Sequence, residues 1–93
     1  MIGEMINVVF FNYDLSNGGA EQVIVSLANE LCMKNYNVII LTISDNNELK
    51  KIINNNVKVI SFGVTKIRDS IPPLINFFRK NDFNLFFANV WPL

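Results

Sequence analysis

Ile6-Asn7-Val8-Val9-Phe10-Phe11 is a run of strand formers with almost no polar interruption, and Asn17-Gly18-Gly19-Ala20-Glu21 follows it directly. Beyond the glycines the apolar residues change to a spacing of three and four. A strand that is apolar on both sides of its pleat belongs in the interior of a parallel sheet. Such a strand needs a crossover helix to reach its next neighbour. This one feature therefore commits the chain to an α/β fold. It also marks a chemically distinctive spot. A helix that opens on paired glycines presents unpaired backbone N–H groups and the positive end of its dipole. Glycine lets a ligand come close to that backbone.

The rest of the sequence repeats the alternation. Helix one is expected from about Ala20 to Asn35, with Ala20, Val23, Ile24, Leu27, Ala28 and Leu31 as its inner stripe. Strand two is Val38 to Ile43, again apolar throughout. Asp45 can cap a second, weaker helix running to Ile53, with Leu49, Ile52 and Ile53 inward, closed by Asn54-Asn55-Asn56. Val57 to Phe62 opens with alternation, the pattern of an edge strand, and ends at Gly63. Helix three starts near Ser70, since Pro72 and Pro73 fit only a first turn. Its stripe reads Ile71, Leu74, Ile75 and Phe78. Strand four is Phe83 to Ala88. The order β-α-β-α-β-α-β predicts right-handed crossovers and a Rossmann-like parallel sheet of four strands in the order 3-2-1-4, with three helices. Strand four has the composition of a central strand but no successor to pair with, so the chain reads as cut short.

Composition narrows the function classes. Eight basic and eight acidic residues cancel, and no basic stripe supports nucleic-acid binding. The chain has no histidine, which removes zinc chemistry and Ser-His or Cys-His catalysis within it. Its single cysteine, Cys32, excludes an internal disulfide and suits a reducing compartment; late in helix one, it reads as a small buried hydrophobe. No basic leader and no long apolar run precede strand one, so a cytoplasmic domain without a transmembrane segment is expected. Fifteen asparagines make any single one a poor functional signal.

The glycine loop has competing owners. A dinucleotide fingerprint needs G-x-G-x-x-G, and counting from Gly18 places Ala20 and Val23 at its second and third glycine positions. No Gly-Lys-Ser/Thr follows, so the Walker motif fails as well. A tight strand-to-helix turn and a ligand cradle both remain open. Glu21 in the first turn complements the dipole and would repel a facing phosphate, so it points to structure or to a sugar hydroxyl. Trp91 beside Pro92 reads either as a stacking platform or as a hydrophobic plug.

Strand one, then Gly18-Gly19-Ala20-Glu21, then Val23-Ile24-Val25-Ser26-Leu27-Ala28-Asn29-Glu30-Leu31 resembles the opening of family 4 glycosyltransferases. In that family a GGAE turn leads into a helix reading much like V-x-x-L-A-N-E-L. Lys34-Asn35-Tyr36-Asn37-Val38 is similar to the family's K-x-G-H-x-V entry into strand two, with Tyr36 and Asn37 in place of Gly-His. Ala88-Asn89-Val90-Trp91-Pro92-Leu93 resembles the segment after strand four, so the likeness runs from Met5 to the last residue. It implies a GT-B architecture, two Rossmann-like domains facing across a cleft, of which residues 1–93 form a partial N-terminal domain. It implies a nucleotide-sugar donor and a glycan or lipid-linked acceptor, with retention of configuration. Gly18 and Gly19 would then offer backbone N–H groups to the donor diphosphate or the acceptor, and Glu21, Asn89 and Trp91 would be further substrate contacts. Gln22 stands where the family often has a basic residue. The family's histidine and its donor-binding glutamates lie beyond strand four, and no such position falls within this sequence. No catalytic residue, cofactor or metal is therefore expected here, and the chain alone should not turn over. The second class of function is a small stand-alone module that docks a partner, or another copy of itself, through strand four.

Overall fold

The computed structural model of the protein describes residues 6–16 and 18–90. Four strands, β1 (Asn7–Asn12), β2 (Asn37–Thr42), β3 (Lys58–Ser61) and β4 (Leu85–Asn89), form one parallel sheet in the order β3-β2-β1-β4. The most apolar strands take the two central places. Val8, Val9, Phe10 and Phe11 of β1 and Val38 to Leu41 of β2 are all buried, as strands covered on both faces must be.

Alternation along β1 feeds two cores. On one face Val8, Phe10, Val38 and Ile40 pack with Val25 and Ala28 of the helix α1 (Gly19–Met33), with Leu15 and with Leu49. On the other face Val9, Phe11, Ile39 and Leu41 pack with Ile43 and with Phe77 of the helix α2 (Ile71–Lys80). The result is a sheet with a helix on either face, the three-layer arrangement expected from the element order. Pro72 and Pro73 sit in the first turn of α2, where a missing N–H breaks nothing. Asn35, just past α1, has φ 69°, a left-handed geometry that asparagine tolerates at a helix end.

Three expectations are corrected. Between β2 and β3 there is no α-helix from Asp45 but a short 3-10 turn, Glu48–Ile52, which follows Asn47 without a side-chain cap and buries only Leu49. One buried apolar residue cannot offset the ordering of a longer helix. The described residues thus form two α-helices, not three, with a second 3-10 turn, Ile67–Ser70, leading into α2. The stripe of α1 is also rotated: Ile24, Val25, Ala28, Leu31 and Cys32 face the sheet, while Ala20 and Leu27 are exposed and Val23 is 65% exposed. In α2 the buried residue is Phe77, flanked by Leu74, while Ile71, Ile75 and Phe78 are exposed. Both helices carry more apolar residues than one face of a four-stranded sheet can cover.

β4 forms the open edge of the sheet. Its outer side pairs with no strand among the described residues, and Leu85 and Phe87 are each 45% exposed. Phe87 stacks on Phe10 with ring centroids 5.3 Å apart, whereas Phe86 packs against Phe11 and Phe78 on the α2 face. No helix among the described residues is long and apolar enough to cross a membrane.

Candidate functional site

The carboxyl ends of β1 and β4 meet where the strand order reverses: β1 continues to β2 on one side, and β4 joins it on the other. Open α/β sheets bind their ligands in the crevice at this switch point. Here the mouth of α1 opens. Gly18 is its N-cap, with φ −101° and ψ 164°, and Gly19 is the first helical residue. Gly18 donates its N–H to the Ser16 carbonyl at 2.8 Å, and its own carbonyl accepts the first helical bond from Gln22 at 3.0 Å. The first N–H groups of the helix have no intrahelical acceptor, and a glycine N-cap has no side chain to offer them.

Neither glycine adopts a left-handed conformation, so the backbone does not demand glycine at either position. What the pair leaves is space. A Cβ at Gly19 would meet nothing within 4 Å, whereas one at Gly18 would collide with Glu21 Oε1. The Glu21 carboxylate therefore folds back over Gly18 at the helix mouth, where it complements the dipole. An anion arriving at this mouth must first displace it. Because Gly19 is helical and unobstructed, Gly19→Ala is expected to raise stability by about 0.4–1 kcal/mol through a less flexible unfolded chain. A urea-unfolding midpoint that moves down instead would show that this backbone is not helical in solution. A shallow groove of about 580 Å³ leads away from the mouth along α1, lined by Gly19, Gln22, Val23, Ser26, Leu27 and Glu30.

The loops around the mouth are tied together. Leu15 donates its N–H to the Asn46 carbonyl and accepts from the Leu49 N–H, both at 2.9 Å, and its side chain is wholly buried in the α1-face core. Tyr13 donates its hydroxyl to the Thr65 carbonyl at 2.7 Å, joining the loop after β1 to the loop after β3. Ser16 donates to the Asp14 carboxylate through both its N–H and its hydroxyl.

Beneath the mouth lies a row of polar residues, of which only Asn89 stands out in the sequence. Asn89, Asn12, Thr42 and Ser61 are neighbours in register across β4, β1, β2 and β3. By strand alternation they share the α1 face with Phe87, Phe10, Ile40 and Val59. Thr42 and Ser61 hydrogen-bond to each other at 2.7 Å, and Asn47 donates to the Ser61 hydroxyl at 3.0 Å. Asn12 is 1% exposed, and neither its Nδ2 nor its Oδ1 has a partner. Among the described residues the other buried side-chain atom without a partner is Asn47 Oδ1, at the same end of the sheet. The available signal was positional. Each strand closes on a small polar residue, Asn12, Thr42, Ser61 or Asn89, at the end where an α/β sheet binds ligands.

Of the residues singled out from sequence, the fold brings Gly18, Gly19 and Glu21 together at the mouth and sets Asn89, half-buried, at the end of the adjoining β4. Trp91 lies outside the described residues. Asp45 is no helix cap; its carboxylate faces Gly63, which has φ 70°. The Cys32 thiol is half-buried, 3.8 Å from Asn54 Oδ1. No group of three or more acidic, histidine or cysteine residues suited to a metal ion occurs among the described residues. Segments 12–22 and 83–90 contain no Lys or Arg, while Asp14 and Glu21 lie on the first of them. Within these segments positive potential comes from the backbone N–H groups, and Lys51 lies across a shallow pocket from Gln22 in the first turn of α1. Comparison with known protein families, with curated proteins and with solved structures finds no match for this chain.

Proposed function

We propose that the chain is the N-terminal, acceptor-side part of a glycosyltransferase resembling family 4, acting in the cytoplasm. It moves a sugar from a nucleotide-sugar to a glycan or lipid-linked acceptor. One observation carries this reading: a helix mouth at the β1/β4 switch point that is open at Gly19 and covered at Gly18 only by the Glu21 side chain, at positions where the backbone does not require glycine. Space at a helix mouth is what close approach by a substrate needs. In this reading Gly19 meets the donor diphosphate or the acceptor through its N–H. Gly18, whose own N–H is held by the Ser16 carbonyl, allows close approach once the Glu21 side chain moves aside. Glu21, Asn89 and Trp91 are the further contacts. Stabilising a departing nucleotide diphosphate takes donors from both walls of a cleft. A second domain supplies the other wall, and the chain alone is expected to transfer no sugar.

Titration of the isotope-labelled chain with a panel of nucleotide-sugars tests this. The backbone amides of Gly18 to Glu21 are expected to shift with at least one donor, without release of nucleotide. If no donor moves those amides, the donor-contact assignment fails; if the chain alone transfers sugar, the two-domain requirement fails.

The half-exposed Leu85 and Phe87 on an unpaired edge support a second reading, a module that associates through β4. Solution mass separates the two, since a stable folded homodimer belongs to the module and a monomer to the transferase half.

A further inference from the structure

We infer that the carboxyl end of β1 holds a recognition point for a neutral ring bearing adjacent hydroxyls, with the Asn12 side-chain amide as its anchor and Asn89 beside it. The inference rests on the reading of this end of the sheet as a substrate site and names the chemistry taken there.

The unpaired amide is the starting point. Roughly nine in ten or more buried polar groups find a partner, and each exception calls for a cause. Asn12 is an exception twice over, with donor and acceptor both unused on a residue 1% exposed. No group among the described residues replaces the water that folding strips from this amide, so an apolar residue of similar size would serve stability better. Its position supplies the cause. It ends the central strand at the switch point, in register with Asn89, on the face from which α1 opens. The partnerless Asn47 Oδ1 lies at the same end, so the unmet hydrogen-bonding capacity is gathered where a ligand would bind.

The chemistry of the amide selects the ligand. Asn12 offers two N–H donors and one carbonyl acceptor. A pair of neighbouring hydroxyls satisfies both, because each hydroxyl donates and accepts. A phosphate oxygen only accepts and would leave Oδ1 unpaired. It would also be repelled by the Glu21 carboxylate folded over Gly18. A hydroxyl can instead donate to the Glu21 carboxylate folded over Gly18. The site therefore divides by charge: the N–H groups of the helix mouth suit an anion, and the amide below them suits a neutral polyol. Asn12 is closed to solvent in the free chain, so the ring reaches it only when the loops above it part, and association should be slower than diffusion.

The test uses the whole chain as wild type, Asn12→Leu and Asn12→Val, with methyl hexopyranosides as probes and inorganic phosphate and the free base adenine, which has no hydroxyl, as comparisons. Either variant is expected to raise the thermal midpoint by roughly 5 °C, because an unmet polar group is removed. In the wild type the Asn12 side-chain amide resonances should shift with at least one methyl hexoside, and both variants should lose that binding. If Asn12→Leu does not fold, Asn12→Val carries the same comparison with a better strand former. A lowered midpoint in the folded variants, no hexoside-dependent shift, or a shift produced by phosphate or adenine instead would each overturn the inference. The outcomes stay separate from those for the donor. Hexoside shifts at Asn12 without donor shifts at Gly18 to Glu21 remove the diphosphate contact and keep this site, and the reverse pattern removes this site alone.

Discussion

Phe10→Ala is expected to cost about 3–5 kcal/mol and to leave much of the chain unfolded at room temperature. Phe10 is 1% exposed in the middle of β1, the strand with neighbours on both sides, and it belongs to the core beneath α1. Its ring stacks on Phe87 with an interplanar angle of 20°, so it also ties the edge strand β4 to the sheet. Truncation removes the largest side chain of that cluster and opens a cavity that the rigid sheet backbone cannot close. A chain of this length has about 5–15 kcal/mol of total stability, so the loss is roughly a fifth of it or more. Urea unfolding followed by far-UV circular dichroism measures the effect. Phe87→Ala is the control: that ring already keeps 45% of its surface in water and should cost far less. If the two substitutions cost the same, the burial difference between the central and edge rings is absent in solution.

That contrast explains which parts of the fold the sequence discloses. The strand order follows from four apolar runs joined by crossovers, because a parallel sheet needs its innermost strands apolar on both faces. β1 and β2 meet that requirement and lie at the centre; β3, with Lys58 among its few residues, lies at an edge. Helix faces are less legible. In α1 nine apolar residues compete for a face that accommodates five, and the winners centre on Val25 and Ala28, where a small side chain lets the helix approach the sheet. Val23 and Leu27 fit the three-and-four spacing equally well and end up outside. The segment after β2 has apolar residues at helical positions, but only Leu49 finds a hole in the core, so a 3-10 turn suffices.

The site divides in the same way. Paired glycines before a helix are visible in any reading, since strand, turn and helix are each signalled locally. Asn12 is invisible because its distinction is burial without a partner, a property of the assembled sheet and not of any local pattern. In a chain with fifteen asparagines, residue type alone cannot separate Asn12 from Asn29 or Asn54, which are bonded to each other's segments in ordinary structural roles. Glu21 shows the converse: its first-turn position announces a dipole partner, but only the folded chain shows its carboxylate filling the space that Gly18 leaves.

Leu15→Ala should cost about 2–5 kcal/mol, and its local effect should exceed its global one. Leu15 belongs to no strand or helix, yet its side chain is wholly buried among Val8, Val25 and Ile40 in the α1-face core. Its backbone bonds to Asn46 and Leu49, each 2.9 Å long, depend on that side chain staying in place. Leu15 is thus the point where the segment leading to Gly18 is clamped to the loop after β2 and to the 3-10 turn. Removing its methyl groups leaves the sheet intact and loosens the path from Asn12 to the helix mouth. Hydrogen exchange separates this from uniform destabilisation. The amides of Leu15, Leu49 and Gly18 should lose protection by more than the shift in the global unfolding midpoint accounts for, while those of Val9 and Ile39 follow the midpoint. Equal losses at all five would mean that the segment opens only when the whole domain does. The helix mouth and the buried amide would then be rigid parts of the fold, and a ring seeking Asn12 would have no way in short of unfolding.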